Sequence, residues 1–376
     1  TIHRLLKEVW KTQEKLEQTF VDDVATNLSN YIYEIKNEFL NLSELEKANL
    51  FSEQWINHLP NNDTKAILIT YRAFLDYYKG NYKNALEIVN EANEIITKRD
   101  SNEYAEILMY QGSLNNHLGT YNLAKDFYKQ SFKMYKRLYP TQDHPDIIIC
   151  LNNLGDIWSI EDFTNALSFH TQSFEMSKRL YPNQNHPHIA RALNNLGFIW
   201  RSKDLSKALN FFEESFGMNK RLYLNQDHPH IVTSLNNLGD MWKNKDFTKA
   251  LSFHTQSFEM SKRLYPNQDH PHLAMTLNNL GFIWKNKDFT KALNFYTQSF
   301  EMYKRLYPNQ NHPNIMLSMF NLSLHLCENS LLKKKGLDLL KQYKRIVTKQ
   351  EDKKEIENIL KKYDNIGKDK SKRKKK

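Results

Sequence analysis

Apolar and polar residues follow the 3.6-residue period of an amphipathic helix along most of this chain, broken at regular intervals by short polar runs. The stretch from His228 to Asp269 is the type. Pro229 sits where the first turn of a helix tolerates a missing N–H, and Asp227 or His228 just before it can accept from the unpaired amides. Ile231, Leu235, Leu238 and Trp242 then recur at helical spacing, with Gly239 leaving a gap for a neighbouring helix; they predict helix A. The polar run Lys243 to Asp246 predicts a turn. Phe247, Ala250, Leu251, Phe253, Phe258 and Leu264 resume the pattern and predict a helix B that stops at Pro266, after about 19 residues or roughly 28 Å.

This unit recurs. His-Pro stands at 144, 186, 228, 270 and 312, and Leu-Asn-Asn-Leu-Gly begins at Leu151, Leu193, Leu235 and Leu277, always 42 residues apart; a decayed copy, Met-Phe-Asn-Leu-Ser, begins at Met319. One helical hairpin leaves its apolar stripe uncovered, whereas stacked copies bury each stripe against the next. The fold expected is therefore all-α, a right-handed α-solenoid of about seven helix-turn-helix units. They run 64–101, 102–143, 144–185, 186–227, 228–269, 270–311 and 312 to about 347. The last lacks the Gly and Trp and reads as a cap, with the charged helix 351–363 closing the apolar end. Residues 1–63 do not fit the repeat and predict a separate helical region. Phe163 to Pro182 returns as Phe247 to Pro266 with one change, 84 residues on, so a two-repeat block was duplicated.

Leu238, Gly239, Trp242, Phe247, Ala250, Ser257 and Pro266 together resemble the tetratricopeptide repeat. The 42-residue period and the strings His186 to Leu196 and His270 to Leu280 resemble its kinesin-light-chain type, over 144–311. Gly80, Tyr82 and Ala85, then Gly112, Gly119, Tyr121 and Ala124, resemble ordinary tetratricopeptide repeats over 64–143. The 42-residue units lack the family's turn glycine and are one residue shorter between the helices. The resemblance implies a superhelix whose A helices line a concave face that grips a partner protein. The opening Thr1-Ile-His-Arg-Leu-Leu-Lys-Glu-Val resembles the end of the winged-helix region of STAND-type (NB-ARC) NTPases, which implies an alternative role as the ligand-sensing arm of such an ATPase. A chain that starts at Thr1 is expected to be part of a longer protein.

On helix A, at about 100° per residue, Thr233, Asn237 and Asp240 share one face, opposite Leu235, Leu238 and Trp242. The equivalent sets are Ile149, Asn153 and Asp156; Arg191, Asn195 and Phe198; and Met275, Asn279 and Phe282. Asn153, Asn195, Asn237 and Asn279 would form a ladder of amides able to bind the backbone of an extended peptide, with Asn152, Asn194, Asn236 and Asn278 at the groove wall. The alternative is that these amides bond adjacent helices and only stabilise stacking. Asp156, Phe198, Asp240 and Phe282 alternate acidic and apolar character along the groove, beside Arg201, Lys243 and Lys285. That alternation either makes pockets for alternate ligand side chains or records the duplication. Trp158, Trp200, Trp242 and Trp284 are expected in the core, and His170 and His254 as packing residues, since Phe212 and Tyr296 fill the same helix-B position.

The composition of 376 residues with only 10 Gly and 10 Pro excludes a turn-rich β fold, and no apolar run reaches the roughly 18 residues of a membrane span. Cys150 and Cys327 make neither a disulfide framework nor a metal-ligand spacing, which implies a reducing, cytoplasmic setting. Equivalent histidines of stacked repeats lie too far apart to share one ion, so no metal is expected. No nucleophile–base pairing or phosphate loop stands out, and neither catalysis nor a cofactor is expected. Of the net charge of +10, residues 361–376 carry +7, so the body is nearly neutral. The tail 364–376 is expected to be disordered; association with nucleic acid or an anionic surface is a further alternative, through the tail alone.

Overall fold

The computed structural model describes residues 63–78, 81–159, 161–224, 226–307, 312–347 and 353–363. The helices expected within residues 1–62 and the basic tail fall outside the described residues. The chain divides into two compact units, Thr1–His228 and Pro229–Lys376, with the division between two repeats.

All regular structure among the described residues is helical. The first unit contains four hairpins: α1 (Asp63–Tyr78) with α2 (Tyr82–Ile95), α3 (Asn102–His117) with α4 (Tyr121–Leu138), α5 (Pro145–Trp158) with α6 (Phe163–Leu180), and α7 (Pro187–Trp200) with α8 (Leu205–Leu222). The second contains α9 (Pro229–Trp242) with α10 (Phe247–Leu264), α11 (Pro271–Trp284) with α12 (Phe289–Leu306), and α13 (Pro313–Glu328) with α14 (Lys333–Ile346). A further helix, residues 353–363, lays Ile356 against Cys327, Leu340 and Val347. Each unit is thus an α-solenoid of stacked helix-turn-helix repeats. No described helix is long and apolar enough to cross a membrane.

Helix A enters through a histidine. His144, His186, His270 and His312 are N-cap residues whose Nδ1 accepts the backbone N–H two positions on, at 3.3, 3.2, 3.1 and 3.1 Å, with proline at N1. Each ring lies flat on the tyrosine that ends the preceding helix B, at 3.8 Å for Tyr139/His144 and 3.3 Å for Tyr181/His186. Helix B is capped by aspartate: Asp162, Asp204, Asp246 and Asp288 accept from amides of its first turn, and the missing turn glycine is not needed.

The two helices of a hairpin approach closely because small residues face each other. Ala124, Ala166, Ala208, Ala250 and Ala292 are fully buried, and the hydroxyls of Ser131, Ser215, Ser257 and Ser299 donate to helix-A carbonyls at Ala105, Ala190, Val232 and Ala274. A helix-B ring then lies directly over a helix-A glycine. A Cβ on Gly155, Gly197, Gly239 or Gly281 would lie 2.5, 2.9, 2.6 or 2.7 Å from the ring of His170, Phe212, His254 or Tyr296. The last hairpin reverses the device: its glycine, Gly336, is on α14, and an added Cβ there would lie 2.8 Å from the backbone of α13 at Cys327 and Ser323.

The tryptophans correct an expectation, because all four are half-buried rather than enclosed. They end helix A, where the stack meets solvent. Trp200 and Trp284 meet Phe163 and Phe247 of the preceding hairpin edge-on at 5.8 and 5.6 Å, and Lys207 and Lys291 lie 3.6 and 3.7 Å above their rings.

Alanine normally gains about 1 kcal/mol over glycine in a helix interior. Gly197→Ala is expected instead to lower stability to urea by about 1–3 kcal/mol, through overpacking against Phe212. A stabilised variant would disprove the close approach. The histidine caps set a pH dependence. Burial holds His186 down at about 4 and also lowers His144, so the neutral cap predominates in the folded chain. For a depressed histidine the contribution is complete above the unfolded pKa, near 6.5, and is lost as pH falls toward the folded value. Thermal melts between pH 7 and 4 should show stability falling from about pH 6.5 downward.

Candidate functional site

The sequence-nominated residues lie along helix A and at its C-terminal end, and the stacking of hairpins decides which of their atoms remain available. In the first unit, Asn153 is 6% exposed, and its Oδ1 accepts from Arg191 Nη2 at 2.6 Å. The same guanidinium lies 3.5 Å from Asp156, whose other oxygen is 3.6 Å from His170 Nε2. Arg191, Asn153 and Asp156 therefore join α5 to α7, with Ile149 half-buried beside them. Phe198 stands 46% exposed with the Arg201 guanidinium 4.7 Å from its ring centre.

Within each unit, asparagines of helix A are tied backward to the preceding repeat. Asn195 Nδ2 donates to Asn152 Oδ1 at 3.3 Å in the first unit; Asn279 donates to Asn236 at 3.4 Å and Asn321 to Asn278 at 3.1 Å in the second. Asn236 and Asn278 are buried, at 3% and 8% exposure, so the groove-wall placement expected for them is corrected: they receive the next repeat. Asn194 and Asn237 are half-buried. Thr233 turns its hydroxyl to the Pro229 carbonyl of its own helix. Met275 is half-buried, and Phe282 lies between Lys285 and Lys243, 3.8 and 5.1 Å from its ring centre.

The alternation of Asp and Phe runs in phase with the ring that helix B lays on helix A. Asp156 and Asp240 occur in the hairpins whose helix-B ring is histidine, and each carboxylate faces that ring, at 3.6 Å from His170 and 3.8 Å from His254. Phe198 and Phe282 occur where the ring is Phe212 or Tyr296. Burial is the main influence on His254 and holds it down at about 4; Asp240 opposes this and Lys243 adds to it. His170 is lowered by burial in the same way, against the pull of Asp156. Both rings are neutral at pH 7. Asn236 Oδ1 lies 3.3 Å from His254 Nδ1 and Asp240 lies 3.8 Å from its Nε2, so both ring nitrogens face acceptors. Sequence reading treated the two alternations separately, although they run in phase.

Other residues at this face were missed. In the first unit, Tyr77 Oη meets His117 Nε2 at 2.9 Å, and Tyr128 donates to Ser113 at 3.2 Å in the register where His170 meets Asp156. Burial raises the pKa of both tyrosines, and the charges of Arg191 and Asp156 reach them. Tyr128 lies 42 residues before His170, which was the available signal, whereas Tyr77 lies in a repeat without the Leu-Asn-Asn-Leu-Gly string. In the second unit, Leu317 is 55% exposed and continues the row of Thr233 and Met275; with Asn321 it lies at the 42-residue spacing, which was the available signal. Each unit thus presents hydrogen-bonding amides and aromatic faces beside a few paired charges.

The tetratricopeptide repeat family is matched by residues 231–305, within the second unit. No curated protein matches the chain significantly. Among solved structures, a Rap protein complexed with Competence and Sporulation Factor is 13% identical, with a TM-score of 0.64, and the match covers 91% of this chain and 94% of that one. The apo form of the quorum sensor NprR from B. thuringiensis is 13% identical, with a TM-score of 0.58, covering 92% and 93%. BtubC (BKLC) from P. vanneervenii is 18% identical, with a TM-score of 0.44, covering 61% and 91%. The Rap and NprR likenesses show the fold.

The Asp–ring pairing is testable by a double-mutant cycle. Asp240→Phe and His254→Tyr are each expected to destabilise, while the double variant, which reproduces the Phe282/Tyr296 combination, recovers about 0.5–3 kcal/mol relative to the sum. Strict additivity in chemical denaturation would show that the two alternations are unrelated.

Proposed function

We propose that this tetratricopeptide-repeat protein is a non-catalytic interaction scaffold whose helix-A faces hold an extended segment of a partner protein. The repeat family and the fold support an interaction scaffold; the place and manner of binding are our reading. The observation that carries it is the one-sided use of the ladder amides. Asn195 and Asn279 are each oriented by donating to the preceding repeat, and the carboxamide oxygen of each has no partner among the described residues. An oriented, half-buried acceptor is expensive to leave unmatched in a closed interface and useful on an open one. An extended peptide presents backbone N–H donors at regular intervals and turns alternate side chains to one side, where Phe198 in the first unit, or Met275, Phe282 and Leu317 in the second, offer apolar contact.

Asn153, Asn236 and Asn278 serve the stack in this reading, whereas Asn195, Asn237 and Asn279 face the guest. Arg191, Arg201, Lys243 and Lys285 set the charge of the rim and so the choice among guests. The Rap structure holds Competence and Sporulation Factor, which supports the view that a fold of this kind accommodates a guest.

The test uses the full chain as bait in lysate from its source, beside the Asn195→Ala, Asn237→Ala, Asn279→Ala triple variant. Capture of the parent's partner should drop at least tenfold, with the helical circular dichroism retained. Parental capture by the triple variant would remove the ladder from the mechanism.

A further inference from the structure

The second unit repeats a lysine-rich turn between the two helices of each hairpin. The turn between α9 and α10, residues 243–249, reads Lys-Asn-Lys-Asp-Phe-Thr-Lys, and residues 285–291 between α11 and α12 repeat it. The turn between α13 and α14, residues 328–335, reads Glu-Asn-Ser-Leu-Leu-Lys-Lys-Lys. Each carries three lysines and one acid. The three turns are neighbours along one edge: Phe247 meets Trp284 at 5.6 Å, and the Phe289 carbonyl lies 2.9 Å from His325 Nε2.

The acids on this edge are already engaged. Asp246 and Asp288 accept from the amides of Lys249 and Lys291 as N-caps, Asp240 lies 3.6 Å from Lys243, and Glu328 lies 3.6 Å from His325. Lys245, Lys249, Lys287, Lys291, Lys334 and Lys335 are exposed, and two of them, Lys249 and Lys291, are steadied over Trp242 and Trp284 at 4.0 and 3.7 Å. One residue separates the candidate polyanions. Leu331, at the tip of the third turn, is 90% exposed beside Lys334 and Lys335. A nucleic-acid backbone offers such a side chain no apolar sink, whereas a bilayer interface accepts both the leucine and the lysines.

We propose that this turn edge docks the second unit on an anionic lipid bilayer, with the lysines at the headgroups and Leu331 entering the interface. The site lies on a different edge from the helix-A face, and either assignment can fail without the other. Electrostatic attraction of this type gives roughly a fivefold gain in partitioning per lysine near the surface.

The test is co-sedimentation of the full chain with vesicles of phosphatidylcholine alone or with one-third phosphatidylserine. The parent should partition at least tenfold better onto the phosphatidylserine vesicles. A Lys245→Gln, Lys287→Gln, Lys334→Gln variant should lose roughly a hundredfold of that partitioning, and Leu331→Ser several-fold, both with parental circular dichroism. Equal binding of the parent to both vesicle types, or undiminished binding by the triple variant, would overturn the proposal, the latter by assigning the attraction to the basic tail. Single-stranded RNA binding that outcompetes the vesicles, needs the lysines and ignores Leu331→Ser would also overturn it, in favour of a nucleic-acid edge.

Discussion

A ring lying on a backbone is the contact on which the rest of this molecule depends. In five consecutive hairpins, from Gly112 under Tyr128 to Gly281 under Tyr296, a helix-B side chain occupies the space that a helix-A Cβ would need, so the helices approach to the distance that only glycine permits. That approach lets buried serines of helix B reach helix-A carbonyls, and it leaves the flanks of each hairpin apolar enough to require a neighbour. When the device is reversed in the last hairpin, with the glycine on the second helix, the pairing survives and the outer surface is closed by residues 353–363.

The same contact reaches outward to the candidate site. A histidine ring over Gly155 or Gly239 brings a polar edge to the helix-A surface, and an aspartate stands there; a phenyl or phenol ring over Gly197 or Gly281 brings no such edge, and a phenylalanine stands there. The residue on the helix-A surface thus varies together with the ring beneath it. Because each ring is shielded from water, its charged form is disfavoured, and the aspartates face neutral imidazoles rather than cations.

The loops use histidine for another purpose. Its flat contact with the preceding tyrosine joins one repeat to the next, while Nδ1 closes the open start of helix A. These atoms are committed to the frame, which is the physical reason that the regular His-Pro pattern marks a structural joint.

Much of this was legible in the chain itself. The period of 42, the glycine, the proline at the start of helix A and the apolar stripes determined that helical hairpins would form and stack, because those signals act between residues close in sequence or repeated at a constant interval. That Asn195, Asn237 and Asn279 occupy equivalent positions of helix A was also readable, since the 42-residue repeat sets them in register. Tertiary structure alone decided what each amide does. Asn152 and Asn195 look alike in sequence, yet one is enclosed by the next repeat and the other donates to it. It also decided that the tryptophans end half-buried under lysines, that the chain divides at His228, and that scattered turn lysines share an edge. Each of these depends on contacts between residues far apart in sequence, where burial and neighbouring atoms, not residue type, set the outcome.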